Sequence, residues 1–401
     1  MAVPKLRFKE FDDSWYKTTI GDQSETVTSG SRDWAQYYAD SGDKFIRMTN
    51  LVRDGINLDL SDLKFVKLPQ DSNEGKRTSL KFGDILISIT AELGKLGWIP
   101  EGIGTAYINQ HTALVRMKDT MDSKFIAYGL STEKYNNKLN SLNDSGAKAG
   151  LNLGTIRSFE LIVPPKAEQT KIASFLSAVD EKISQLNQKH QLLSQYKQGM
   201  MQKLFSQQIR FKADDGSAFG EWEEQKLGEI SKTFSGGTPQ SSNKSFYEGK
   251  IPFIKSGEIS KNTTEQFIND LALEKSSAKL VKKGDLLYAL YGATSGQVAI
   301  SQIDGAINQA VLCIRSELNT KYLLNFLLLK KEEILSTYLQ GGQGNLSASI
   351  LKEIYIPTPC LEEQTKISNF LSAIDQKIEV VAQQIEQAKT WKKGLLQQMF
   401  V

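Results

Sequence analysis

At 401 residues, 40% hydrophobic and 24% charged, the chain has the composition of an ordinary globular protein with room for two or three cores, which excludes the disordered and fibrous classes. A formal net charge of +3 leaves no uniformly basic surface, so any polyanion site must be a local patch. Two cysteines, Cys313 and Cys360, and two distant histidines, His111 and His190, supply neither a disulfide framework nor the four clustered ligands of a structural zinc. The first eleven residues, MAVPKLRFKEF, carry charges where a signal peptide needs an apolar core, and the longest apolar run, 322–329, is too short to span a bilayer. The expected location is the cytoplasm, with no membrane partner.

In chain order, the first half offers WYKTTIG at 15–21, FIRMTNL at 45–51, KFGDILIS at 81–88, INQ at 108–110 and TALVRM at 112–117. A Gly-Asp turn followed by a short apolar run predicts a strand, and TALVRM predicts another. A helical pattern follows in DSKFIAYGLSTEKYNNKL at 122–139, then the strand-like FELIVPP at 159–165. Proline lacks a backbone donor and restrains the residue before it, so the next helix can start only after Pro165.

That helix, EQTKIASFLSAVDEKISQLNQKHQLLSQYKQGMMQKLF at 168–205, returns at 363–400 as EQTKISNFLSAIDQKIEVVAQQIEQAKTWKKGLLQQMF. The copies are in register at a spacing of 195 residues, with 17 of 38 positions identical. The duplication extends upstream: WEEQKLG at 222–228, FIKSGEI at 253–259, KKGDLLYA at 282–289, INQ at 307–309, AVLCIR at 310–315 and IYIPTP at 354–359 match the first copy in order. So long a period means two copies of a whole domain and its connector.

Apolar residues spaced alternately four and three apart make a heptad seam: Ile172, Leu176, Val179, Ile183, Leu186, His190, Leu193, Lys197, Met200 and Leu204, then Ile367, Leu371, Ile374, Ile378, Val381, Ile385, Ala388, Lys392, Leu395 and Met399. A 3.5-residue repeat sustained this long predicts a coiled coil. The nearest partner for each helix is the other copy, paired antiparallel, which would bring Met1 and Val401 to one end of the rod; pairing with a second molecule is the alternative. Lys197 and Lys392 interrupt both seams at the same point and can fix register at a cost in stability. Asp180 and Asp375 read as polar flank positions. The expected fold is mixed α/β and pseudo-two-fold symmetric. Globular domains occupy 1–163 and 207–358, and the long helices 164–206 and 359–401.

Catalytic signatures are missing. There is no GxxxxGK[ST] phosphate loop, no Asn/Asp-Pro-Pro-aromatic motif (Pro164-Pro165 lies between Val163 and Lys166), and no histidine beside an evident nucleophile.

The order of globular unit, proline-containing closing strand and EQxKIxxFLSAxDxKI helix, given twice, resembles the specificity subunit of type I restriction-modification enzymes over essentially the whole chain. The marks are FLSAVDEKI at 175–183 and FLSAIDQKI at 370–378, each after EQTKI, and SGGTPQSSNKSFYEGKIPFIKSGEI at 235–259. The first unit departs from this last pattern, with TSGSRDWAQYYADSGDKFIRMTNLVRDG and no Gly-Gly-Thr-Pro. The resemblance implies target-recognition domains that each read half of an interrupted double-stranded DNA site. It also implies helices that set the half-site separation and dock two methyltransferase subunits, and restriction or motor subunits in the larger assembly. It implies no cofactor on this chain, with S-adenosylmethionine, ATP and magnesium on the partners. A rod of roughly 57 Å, at about 1.5 Å per residue, bounds the separation at roughly 17 base pairs.

The exit of the FIR and FIK strands is the preferred reading surface: Arg47, Asn50 and Arg53 in the first unit, Lys255, Ser256 and Glu258 in the second, since Arg reaches guanine and Asn adenine bidentately. A solvated strand end is the bland alternative. Arg77, Lys95, Lys148, Lys244, Tyr247 and Lys250 are candidate phosphate contacts. Gly236, Gly237, Thr238 and Pro239 either offer amides to a phosphate or form an ordinary turn, and the loops GATSGQ at 292–297 and QGGQGN at 340–345 are read as turns beside DNA or turns with no ligand. Tyr196 and Trp391, one residue before the seam lysines, either anchor a methyltransferase helix or pack within the chain. Two other classes stay open: a single-chain DNA-modifying or DNA-cutting enzyme with unrecognised catalytic residues, and a structural dimeriser with no DNA role.

Overall fold

The computed structural model describes residues 3–70, 73–142, 150–338 and 346–401. It divides the chain into two compact units, Met1–Leu186 with Gln384–Val401, and Asn187–Gln383. Each is mixed α/β.

In the first unit an antiparallel sheet runs in the order Ser24–Ser29, Thr112–Met117, Ile85–Ser88, Leu96–Trp98. The strand after the Gly-Asp turn is buried on both faces, and its period of two divides it between two cores. Ile85 and Ile87 face one core, with Phe125 and Tyr128; Leu86 faces the other, with Ile46 and Ile108. A second sheet, in the order Tyr38–Ala39, Lys64–Val66, Asp43–Ile46, Ala106–Ile108, has its last pair parallel. The closing strand Glu160–Val163 pairs antiparallel with Tyr16–Thr19. The second unit repeats this scheme. Leu286–Ala289 again splits, Leu286 and Tyr288 to one core, Leu287 and Ala289 to another. Ile251–Ile254 runs parallel to Gly305–Ile307, and Tyr355–Thr358 closes on Glu223–Lys226.

The helical stretch at 122–139 becomes two helices, Ser123–Ser131 and Glu133–Ser141. Thr132 leaves helical geometry (φ −63°, ψ 145°), and its hydroxyl accepts from the Tyr135 N–H to cap the second. The second unit likewise breaks into Thr320–Leu329 and Lys331–Tyr338.

The long helices span Lys166–Phe205 and Leu361–Met399, each starting just past its proline strand. Their 40 and 39 residues make rods of about 60 Å. In the first unit the start of the first helix (Ile172, Leu176, Val179) shares a core with the end of the second (Leu395, Met399). In the second unit the end of the first (Met201, Leu204) meets the start of the second (Ile367, Leu371, Ile374). The helices therefore pair antiparallel within the one chain. Leu176, Val179, Leu186, Leu371, Ile374 and Val381 are buried, and Ile183 and Ile378 partly so. Near the end of the first helix the buried residue is Met201 rather than Met200. At the other end of the chain the Leu6 N–H donates to the Gln398 carbonyl at 2.9 Å; Met1 lies outside the described residues.

Candidate nucleic-acid interface

In the first unit the strand Asp43–Ile46 ends in a single 3-10 turn, Met48–Asn50. Asn50 is 1% exposed, and its amide is fully engaged: Oδ1 accepts from the Arg47 N–H (2.9 Å), while Nδ2 donates to the carbonyls of Asp59 (2.8 Å) and Asp62 (3.3 Å). It therefore builds the turn and presents no edge to solvent. Arg47 donates from Nη2 to Asp62 Oδ2 at 2.7 Å. Arg53 is exposed. A two-way backbone bridge between Val52 and Leu96 brings this exit beside Lys95, whose ammonium pairs with Glu92 at 2.6 Å. Lys95 first, and Arg53 after it, hold the Glu92 carboxyl below the ordinary carboxylate range. Arg53 and Lys95 thus share one patch. Arg77 stands apart on the Ser24–Ser29 strand, donating to Thr28 Oγ1 and to the Ser29 carbonyl. Lys148 lies outside the described residues.

The second unit builds the same turn with a carboxylate. Glu258 takes the place of Asn50 and accepts from the Lys255 N–H at 3.1 Å, the Glu265 N–H at 2.9 Å and the Thr264 hydroxyl at 3.1 Å. Burial alone would raise its pKa, but these donors hold the carboxyl below its ordinary value. Lys255 and Ser256 are half-buried on this turn, and Gly257 approaches Thr294 of the GATSGQ loop. In that loop Gly292 and Gly296 have φ of 82° and 79°, the left-handed region that favours glycine. The loop 340–345 lies outside the described residues.

In the Gly-Gly-Thr-Pro segment a Cβ on Gly236 would lie 1.7 Å from the Ile307 carbonyl oxygen, and Gly30, ending the matching strand of the first unit, would meet Ile108 O at 2.1 Å. Gly237 N–H donates to Ile307 O at 3.3 Å. The glycines thus serve a close backbone crossing at the repeated INQ, and the Gly237 amide is already spent. Thr238 donates to Gln309 Oε1, and Tyr247 OH to Pro239 O at 2.7 Å, while Lys244 and Lys250 are exposed. Tyr196 and Trp391 are 52% and 54% exposed; Trp391 makes an edge contact with Phe175 at 6.1 Å.

Three constellations escaped the sequence reading. The Glu of each EQTKI is fully buried and takes a bidentate arginine. Arg7 reaches Glu168 at 2.8 and 2.7 Å and Arg210 reaches Glu363 at 3.1 and 2.8 Å, with the indoles of Trp15 and Trp222 donating as well. The signal was LRFK at 6–9 against IRFK at 209–212. The following Gln169 and Gln364 each accept from the backbone at the head of a domain helix (Asp122 N–H, Asn319 N–H) and donate to a proline carbonyl. The Asp of each Gly-Asp turn, Asp84 and Asp285, is clamped bidentately by Arg116 and Arg315. Finally, each seam lysine meets an aspartate of the opposite helix: Lys392 with Asp180 at 2.5 Å, Lys197 with Asp375 at 2.7 Å. The flank aspartates are thus partners of the seam lysines.

Two repeated sheet-rich domains, each pinned to the head of a long helix by the same buried Glu-Gln pair, define a tandem-domain scaffold with paired helices. The type I restriction modification DNA specificity domain matches residues 13–195 and 220–390, and the chain belongs to that family. It is 26% identical to a putative type I restriction enzyme MjaX specificity subunit from Methanocaldococcus jannaschii, covering 98% of this chain and 94% of that one. It is 29% identical to the MjaVIII specificity subunit of the same organism over 60% of each. The solved S subunit of a type I restriction-modification system from M. genitalium superposes with a TM-score of 0.62 at 16% identity, covering 100% of this chain and 99% of that one. Membership places the chain among specificity subunits, the non-catalytic components of such complexes. Among the described residues no helix is long and apolar enough to cross a membrane.

Proposed function

We propose that each globular domain reads one half of a bipartite double-stranded DNA target, while the paired helices set the gap and dock two methyltransferase subunits in a cytoplasmic assembly that restriction or motor subunits join. S-adenosylmethionine, ATP and magnesium belong to those partners, and this chain carries no cofactor. The reading is supported above all by the exact repetition of the domain-to-helix anchor, Arg-Trp-Glu-Gln, in both units, because a scaffold that fixes two readers needs each held rigidly to the spacer. Arg53 with Lys95, and Lys255 with Ser256, face the DNA in this reading. Arg47, Arg77, Thr238, Lys244 and Tyr247 position the backbone, Asn50 supports the turn beneath them, and Lys148 joins the phosphate contacts. Tyr196 and Trp391 take up the methyltransferase.

Mapping methylated adenines in the host genome with and without this gene tests the proposal. One two-part sequence should lose its methylation on deletion; an unchanged map overturns the reading.

A further inference from the structure

We propose that the two interhelical Lys-Asp pairs are the register lock of the helix pair, making Lys197, Asp375, Lys392 and Asp180 positioning residues. The apolar seam alone does not choose a register. Apart from His190 and the lysines its positions are Ile, Leu, Val, Met or Ala, so sliding one helix by a heptad again sets mainly apolar layers on apolar layers. The lysines break this degeneracy. Each sits at a seam position, and with 12% and 15% side-chain exposure Lys392 and Lys197 need a counter-charge. In the observed register both have one. A seven-residue slip would set Lys197 opposite Ser368 or Ala382 and Lys392 opposite Ala173 or Asn187. A four-residue slip one way offers Glu379 to Lys197 but only Ser184 to Lys392; the other way both lysines meet leucine, Leu371 and Leu176. Of these registers only the native one satisfies both.

In the first unit the lock also reaches the globular domain. Tyr128, fully buried on the Ser123–Ser131 helix, donates its hydroxyl to Asp180 Oδ2 at 2.7 Å, and Lys392 Nζ lies 5.5 Å from the Tyr128 ring. Domain helix, first long helix and second long helix meet at one carboxylate. If the helices set the gap between DNA half-sites, a consequence that rests on the proposed function, this lock acts with the packing of Leu395 and Met399 on the first unit's core to make the gap single-valued.

The test needs no DNA. Spin labels at Glu181→Cys and Lys389→Cys, exposed positions of the first unit, in a Cys360→Ser background, report register as a distance. The double variant Lys197→Met/Lys392→Met removes the charges but keeps the seam apolar. Its melting temperature should hold or rise, while a second label distance appears, displaced by up to about 6–10 Å for a slip of four to seven residues. Lys392→Asp alone should lower the melting temperature by about 5 °C and broaden the distance distribution, and Lys392→Asp/Asp180→Lys should restore both. One narrow, unchanged distance in the methionine variant overturns the lock, as does a charge swap no better than the single reversal. A methylation map with no bipartite site removes the DNA reading and leaves the lock standing if the label distances behave as stated.

Discussion

Glu168 and Glu363 are completely buried carboxylates, each neutralised by one arginine that also donates to a backbone carbonyl, Asp13 O from Arg7 and Gly220 O from Arg210. Removing one partner of such a pair strands the other charge. Arg7→Ala and Arg210→Ala should each cost about 3 kcal/mol, seen as a lower denaturant midpoint for the unit that carries the change. The Gly-Asp clamp adds a pH dependence. Burial works against ionising Asp285, yet the Arg315 guanidinium and the Lys282 N–H hold its carboxyl below the ordinary range. The folded chain therefore keeps this group ionised to lower pH than the unfolded chain does. Its contribution is complete above the unfolded value, about 4, and is lost as pH falls through the folded one. In Arg315→Ala the loss of stability between about pH 5 and 3 should be shallower than in the parent, measured by thermal melts across that range.

At the scale of elements, the seam positions are unequal. Leu176 and Leu371 are fully buried where the helices also pack on domain residues, whereas Ile183 and Ile378 are partly exposed. Leu176→Ala and Leu371→Ala should each cost about 3 kcal/mol, and the same change at Ile183 or Ile378 visibly less; equal losses at all four would mean the helices are buried uniformly along their length. The elements were largely legible in the sequence. Both long helices, their start behind a proline strand and the two strands after each Gly-Asp turn follow from periodicity and turn chemistry that need no tertiary information. Cross-chain partners were not legible. Arg7 and Glu168 are 161 residues apart, and no local pattern says which arginine a buried glutamate will find. The role of Asn50 was hidden for a related reason. The Asn50 side chain has the chemistry to read adenine, but that chemistry is consumed by three backbone groups, which only the fold reveals.

For the whole molecule, charge is the relevant quantity. On the proposed DNA role, a surplus of only +3 predicts that affinity comes from local patches, with the logarithm of the binding constant falling linearly against the logarithm of salt. Six or more phosphate contacts would weaken binding about a thousandfold or more between 50 and 200 mM salt. Titration of the chain with the proposed methyltransferase partners measures that slope, and Arg53→Ala or Lys95→Ala should each lower it by about one contact. A flat response would leave those two side chains without a phosphate role.

The division of the chain into units has a bearing on biosynthesis. The core beneath Ile172, Leu176 and Val179 is completed by Leu395 and Met399, and the first unit includes Gln384–Val401. During translation the domain made first therefore waits, with a greasy stripe uncovered, until residues 384–401 leave the ribosome. A message ending near codon 383 would yield a product whose second unit has every residue it needs and whose first does not, a natural substrate for chaperones and proteases.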